Sequence, residues 1–216
     1  MTVLFQYFSE NWRYILIQSR THFLISLYGV LLACLVAIPL GILLAYKKKS
    51  NSLSMMIANI LQTIPSIAML SVLMIFFGLG SNTVIIANFL YSLLPILKNT
   101  YAGITNVDPK LLDVAEGLGM TRIQRLFKVV LPLSISIIIG GIKNAIVVAV
   151  GITTVGTFVG SGGLGDIITR GINMVDAGEV VWAGAIGAAF MAVLLDILLG
   201  FVEKKLTPKQ KRVSSF

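Results

Sequence analysis

The sequence predicts an all-α integral membrane protein, with about five transmembrane helices and one helical hairpin held in water between two of them. Three observations predict it. Apolar residues make up 56% of the 216-residue chain and charged residues only 12%, against about 25% charged in soluble domains, so much of the surface must face lipid. Apolar segments of membrane-crossing character recur at about 23–46, 55–79, 83–97, 133–159 and 181–202. The basic residues gather at alternate junctions between them, as they do in multi-pass membrane proteins.

Taken in order, residues 1–19 mix the aromatics Phe5, Tyr7, Phe8, Trp12 and Tyr14 with polar residues. That pattern fits a helix lying in the membrane interface. The same stretch has no basic n-region and no small-residue cleavage site, so it is not read as a cleaved signal. The first span, 23–46, ends in Lys47-Lys48-Lys49. The second, 55–79, contains the polar patch Gln62-Thr63-Ile64-Pro65-Ser66, which weakens a helix and is tolerated where neighbours satisfy the freed backbone groups. Gly78-Leu79-Gly80-Ser81-Asn82 is a turn. The third span, 83–97, is expected to be interrupted by Pro95 and leads through Lys98 to the hairpin.

The hairpin covers 108–132, DPKLLDVAEGLGMTRIQRLFKVVLP, the longest polar interruption in the chain. Asp108 is placed to cap a first helix, with Pro109 at the first helical position where its missing N–H costs nothing. Gly117-Leu118-Gly119 supplies residues that tolerate a helix-ending backbone. A second helix starts at Thr121, and Gln124 completes a capping box with it. The fourth span, 133–159, carries Lys143 and Asn144. A glycine-rich stretch, 156–171, comes next, then Asp176 and Glu179. The fifth span, 181–202, contains Asp196, and the basic tail 203–216 closes the sequence.

Five crossings put the two ends of the chain on opposite sides. With the amino terminus outside, thirteen of the 17 basic residues face the cytoplasm: Lys47, Lys48, Lys49, Lys98, Lys110, Arg122, Arg125, Lys128, Lys204, Lys205, Lys209, Lys211 and Arg212. Arg13, Arg20 and Arg170 fall outside and Lys143 within the membrane, so the reverse orientation breaks the positive-inside rule. The net charge of +8 therefore reports orientation. No nucleic-acid partner is expected: in the hairpin Lys110, Arg122, Arg125 and Lys128 are nearly balanced by Asp108, Asp113 and Glu116, which leaves little phosphate affinity.

The residue inventory also limits the chemistry. No G-x-x-x-x-G-K-[ST] loop is present, and the glycine stretch 156–165 has no lysine, so the chain is not expected to bind or hydrolyse ATP. His22 is the only histidine and Cys34 the only cysteine, which excludes two-histidine haem ligation and a Cys/His metal cluster. Charges inside a span are functional candidates by default. Lys143 and Asp196 are thus either an ion-coupled site or a pair that glues two helices. The first option would make the protein a stand-alone secondary transporter or channel, although five spans are few for inverted repeats and no internal repeat is visible.

The hairpin resembles the signature of ABC-importer membrane subunits, the binding-protein-dependent transport permeases: E-A-A, three residues, G, nine residues, I, one residue, L-P. Asp113-Val114-Ala115 stands for E-A-A, Gly119 for the glycine, Val129 for the isoleucine and Leu131-Pro132 for the end. The departures, Asp113, Val114 and Val129, keep chemical character, and the resemblance covers about residues 20–200. A closer resemblance is to the permeases for glycine betaine, carnitine and choline. It is carried by Gln62-Thr63-Ile64-Pro65-Ser66, LYSLLPILKNTYAGI (90–104), Val107-Asp108-Pro109, Gly117–Thr121 and Gly160–Asp166.

This resemblance implies the type-1 ABC importer permease fold in a bacterial cell membrane. It implies a second permease, identical or homologous, two ABC ATPase subunits that use ATP and Mg, and an extracytoplasmic solute-binding protein. The hairpin, with Asp113, Val114, Ala115, Glu116, Gly119, Leu131 and Pro132, would be the ATPase-coupling element. For the solute path the residues offer polar candidates, Gln62, Ser66, Asn144, Thr153, Thr154 and Thr157. They also offer aromatic faces at Phe76, Phe77, Phe89, Tyr91 and Phe158 that could grip a quaternary ammonium group.

Overall fold

Lipid supplies no hydrogen bonds, so a chain of this composition must satisfy its backbone within itself, and helices do so. A computed structural model describes residues 2–46, 56 and 59–207, and among them every regular element is helical. Numbered along the chain, α1 is Thr2–Tyr46, α2 Ser66–Phe77, α3 Ser81–Thr105, α4 Pro109–Gly117, α5 Arg122–Arg125, α6 Leu131–Val155, α7 Leu164–Asn173 and α8 Gly178–Leu206. A π-helical segment, Leu126–Val130, joins α5 to α6, and a 3-10 turn, Gly156–Val159, comes directly after α6.

The bundle has a hairpin end and a glycine-loop end. At the first, Ile42 and Ala45 of α1 pack with Ile104, Val107, Leu112, Leu126 and Val130 around the hairpin base. At the second, the Gly80 N–H donates to the Val159 carbonyl at 2.7 Å, tying the α2–α3 turn to the glycine loop. α1, α3 and α8 run towards the hairpin end, and α2 and α6 run away from it. The described chain therefore starts and finishes at opposite ends of the bundle.

α3 is the central helix. Gly29, Ala33, Ala37 and Gly41 recur every four residues along one face of α1 and meet Asn88, Ser92, Ile96 and Thr100, which recur every four residues along α3. A Cβ on Gly29 would collide with the Asn88 side chain, and one on Gly41 would sit 2.8 Å from the Thr100 side chain. Small residues are what allow backbones to come this close in lipid, where van der Waals contact rather than hydrophobicity drives helix association. The other side of α3 is covered by α6, where a Cβ on Gly141 would lie 2.8 Å from the Pro95 carbonyl.

This placement explains why α3 is the least apolar of the long helices. Thr83, Asn88, Ser92 and Thr100 are fully buried in protein rather than facing lipid. Among the described helices Val3–Tyr46, Arg122–Val159 and Gly178–Leu206 are long and apolar enough to cross a membrane by composition alone. α3 is about 37 Å long by its rise per residue, and it crosses inside the bundle.

Four features differ from the sequence reading. Residues 2–21 do not form a separate interfacial helix: they continue α1 past the start of α3, where Tyr7, Tyr14 and Ile15 pack on Leu164, Ile167, Ala177 and Val180. The second span, 55–79, begins partly outside the described residues and is broken at Ile64-Pro65. Its 12-residue α2 reaches only about 18 Å, short of a hydrocarbon core of about 30 Å. Pro95 does not interrupt the third span, because α3 runs through it. The missing Pro95 N–H leaves the Tyr91 carbonyl free, and Gln62 Nε2 donates to it at 3.4 Å.

The fourth difference is continuity. The second arm of the hairpin runs into the fourth span without a break, as one helical stretch from Arg122 to Val159. Pro132 lacks an N–H, and the helix widens just before it: the Leu131 N–H reaches back to the Leu126 carbonyl, five residues away. A hydrogen-bonded π segment thus carries the chain past a proline that would otherwise kink it.

The seam between α1 and α3 leads to a stability prediction. Gly29→Leu forces the two backbones apart and lowers the stability of the detergent-solubilised protein by about 1–3 kcal/mol or more. Gly178→Ala, in open space at the start of α8, leaves it unchanged. Thermal unfolding of the two variants checks this, and equal midpoints would contradict the seam.

Candidate functional site

The hairpin is built by local signals that all agree. Asp108 Oδ1 accepts from the Lys110 N–H at 2.9 Å, and Pro109 opens α4. α4 ends in a Schellman motif: the Gly119 N–H donates to the Glu116 carbonyl at 2.9 Å and the Met120 N–H to the Ala115 carbonyl at 3.1 Å. Gly119 sits at φ +76, a left-handed conformation that favours glycine. Among the described residues, apart from its chain neighbours, nothing lies within 4 Å of where its Cβ would be. Its requirement within the chain is therefore the turn itself and not close packing at the corner. Thr121 and Gln124 then form both halves of a capping box, at 2.9 and 3.3 Å.

The two arms are locked together by Arg125, whose Nη1 lies 2.6 Å from Glu116 Oε2. Of the coupling candidates, Asp113, Val114, Glu116 and Gly119 are exposed, Ala115 is buried, and Leu131 and Pro132 are half-buried where the hairpin meets α6. A groove of about 530 Å³ opens between the arms, lined by Leu111, Val114, Leu118, Met120, Val129 and Pro132 among others. Val114, Leu118, Ile123 and Phe127 are 61%, 72%, 71% and 63% exposed. Apolar exposure of this extent is characteristic of protein-interaction or membrane-interaction surfaces.

The path candidates fall in three places. Gln62 and Tyr91 meet at the break before α2, where the Tyr91 hydroxyl donates to the Ile64 carbonyl, and Ser66 begins α2 beside them. Thr153 is fully buried in an interior network: its Oγ1 accepts from Asn88 Nδ2 at 2.8 Å and lies 2.9 Å from Ser26 Oγ. Asn144 is exposed on α6, Thr154 donates to the Val150 carbonyl of its own helix at 3.0 Å, and Thr157 lies half-buried in the 3-10 turn. Of the aromatics, Phe76, Phe77 and Phe158 are exposed, Phe89 is packed against the core and Tyr91 is buried.

The glycine loop is a fixed structure. Gly160, Gly162 and Gly163 take positive φ, and one stripe of α1 clasps the junction between this loop and α7. Gln18 Oε1 accepts from the Gly163 N–H at 2.7 Å, and His22 Nδ1 from the Leu164 N–H at 3.2 Å. The other ring nitrogen of His22 then donates to the Val150 carbonyl at 3.1 Å. Tyr14 donates to Asp166 at 2.5 Å, and Asp166 also pairs with Arg170 at 2.9 Å. Tyr14, Gln18, His22 and Ser26 are spaced every four residues. That polar stripe is the signal by which a sequence reading could have found the clasp.

Lys143 and Asp196 face each other between α6 and α8, Nζ to Oδ1 at 3.4 Å. No group of three or more His, Cys, Asp or Glu residues able to hold a metal occurs among the described residues.

Comparison with known proteins agrees with this architecture. The family described as binding-protein-dependent transport system inner membrane component matches residues 37–209. The carnitine transport permease protein OpuCD of Listeria monocytogenes serotype 1/2a (strain 10403S) is 52% identical over 210 residues, covering 97% of this chain and 94% of that protein. The glycine betaine/carnitine/choline transport system permease protein OpuCD of Bacillus subtilis (strain 168) is 49% identical, covering 97% and 92%. A chain in a crystal structure of the MetNI methionine ABC transporter superposes with a TM-score of 0.82 at 19% identity, covering 92% of this chain and 99% of that one. The fold is thus that of type-1 ABC importer permeases.

The interior placement of Thr153 gives a prediction. Thr153→Val strips Asn88 and Ser26 of a partner and costs about 1–3 kcal/mol of stability. Thr154→Val, which removes only a bond to its own helix, changes stability by about 0.5 kcal/mol or less. Unfolding midpoints in detergent measure both, and an unaffected Thr153→Val would show the network to be dispensable.

Proposed function

Since the chain belongs to the family of binding-protein-dependent transport system inner membrane components, we propose that it is the permease subunit of an ATP-driven importer for a quaternary-amine osmoprotectant: glycine betaine, carnitine or choline. It forms half of the translocation path and contains no nucleotide site of its own. A second permease, identical or homologous, supplies the other half. Two ATPase subunits bind ATP and Mg beneath the pair, and an external binding protein delivers the solute. The amino terminus is outside and the tail cytoplasmic, a reading supported by the thirteen-to-three distribution of basic residues.

The observation that carries this reading is the hairpin. Two capped arms locked by Glu116 and Arg125 present Val114, Leu118, Ile123 and Phe127 to solvent, and the second arm is continuous with a span. A capped helix transmits displacement where a loose loop would absorb it. Closure of ATP-bound subunits moves the hairpin, and through it the spans, between two states of access. The break at Gln62, Ser66 and Tyr91, with Asn144, Thr154 and Thr157 on α6 and the turn after it, supplies polar surface along the path, and exposed Phe158 an aromatic face for the ammonium group. Thr153 belongs to the interior network in the described conformation. The ion-coupled alternative built on Asp196 and Lys143 is not favoured, since the family and the relatives are those of binding-protein-dependent transport permeases.

Hairpin variants test this. Leu118→Asp and Asp113→Lys lower retention of the ATPase on the purified permease about tenfold or more, about 1.4 kcal/mol or above, and abolish osmolyte uptake while membrane insertion persists. Gly119→Asp does the same through the strained turn. Normal retention and uptake in all three would reduce the hairpin to a connector.

A further inference from the structure

We propose that Lys143 is a positioning residue that couples α8 to the hairpin, as the centre of a charge clamp between α6 and α8 within the membrane. The proposal rests on the permease reading above and adds to it the route by which motion spreads from α6.

The clamp uses matching spacings on two helices. Ser136 and Lys143 lie seven residues apart on α6, and Asp196 and Glu203 lie seven apart on α8. Lys143 Nζ is 3.4 Å from Asp196 Oδ1 and 4.0 Å from Glu203 Oε2. Ser136 Oγ donates to the other Glu203 oxygen at 2.5 Å. Gly200 lies between the two carboxylates on α8, and a Cβ there would approach Lys143 Nζ to 3.7 Å. The ammonium therefore lies across the bare backbone of α8 with a carboxylate one turn to either side.

The placement matters because, among the described residues, this half of α8 has no buried side chain. The fully buried residues of α8 are Val180, Ala183 and Gly184, all in its first two turns. Towards the hairpin end Leu195 and Leu199 are only partly buried against the core. Lys143 and Glu203 are each about a quarter exposed and Asp196 about half, so the Glu203 side of the clamp is the more shielded one. Removing the lysine leaves Asp196, which lies within the fifth span, without its counter-charge, which is costly. α6 in turn is one helical run with the hairpin arm that starts at Arg122. A push on the hairpin moves α6 along its axis, and the clamp makes α8 follow.

The experiment uses the complete transporter, with ATPase, both permeases and binding protein, reconstituted in liposomes, and reads solute imported per ATP hydrolysed. The neutral triple variant Lys143→Met, Asp196→Asn, Glu203→Gln removes the charges without stranding any of them. It is expected to assemble and to lose about fivefold or more of its uptake per ATP, whereas Lys143→Arg keeps wild-type coupling. Wild-type coupling in the assembled triple variant would overturn the clamp. Should that variant not assemble, the exchange Lys143→Asp with Asp196→Lys, made together with Glu203→Gln so that the carboxylate placed at position 143 meets no like charge, decides: uptake per ATP within about twofold of wild type supports the clamp, and an assembled but uncoupled complex contradicts it. Absence of ATP-driven uptake in the wild-type complex would instead overturn the permease reading itself.

Discussion

Everything in this protein is arranged around the close approach of α1 to α3. In lipid there is no hydrophobic gain from bringing two helices together, so contact has to come from fit. Gly29, Ala33, Ala37 and Gly41 remove side chains from one face of α1, and α3 settles onto it with Asn88, Ser92, Ile96 and Thr100. Once α3 is held there, its polar residues are shielded from lipid. Asn88 can join Ser26 and Thr153 in an interior network, and α6 closes over the opposite face. A larger residue in the seam would disturb all of these at once.

From that fixed centre the chain is extended in two directions by helices that pass obstacles. α1 continues beyond the start of α3 and uses Tyr14, Gln18 and His22 to fix the glycine loop. At the other end, α6 continues into the hairpin through Pro132, with the π segment Leu126–Val130 absorbing the missing donor. In both places a proline or a glycine cluster would be expected to loosen the structure. Neighbouring groups satisfy the freed backbone instead, as Gln62 does for the Tyr91 carbonyl opposite Pro95. The result is a bundle whose two functional ends, hairpin and glycine loop, are both tied to the same three helices.

What the sequence discloses here is what is encoded locally. Asp108, Pro109, Thr121 and Gln124 act within one turn of themselves, and the helix caps stand where their chemistry requires. The apolar segments mark α6 and α8 to within a few residues because lipid-facing length is a composition property. The rest depends on contacts between distant residues. Residues 2–21 look interfacial by composition, yet α7 and α8 give them something to pack on. Pro95 looks like a break, yet Gln62, 29 residues from Tyr91, compensates for it. Among the path candidates, Thr153 differs from its neighbour Thr154 only in which way it faces, which the helical phase of α6 against α1 and α3 decides. Lys143 and Asp196 are visible as misplaced charges that could pair, but that they do pair, and the part of Glu203 in it, needed the register of α8 on α6.

The central claim is that the hairpin arm and α6 move as one rigid rod when nucleotide acts on the complex. A distance across the π segment measures this directly. With Cys34 replaced by alanine, spin labels at Arg122 and Val147, both exposed and outside the apolar face of the hairpin, sit about 38 Å apart along a continuous helical run. Pulsed electron spin resonance on the assembled transporter should return the same intrachain distance with and without ATP. A nucleotide-dependent change would show that the π segment is a hinge and that the hairpin does not drive the spans as a lever.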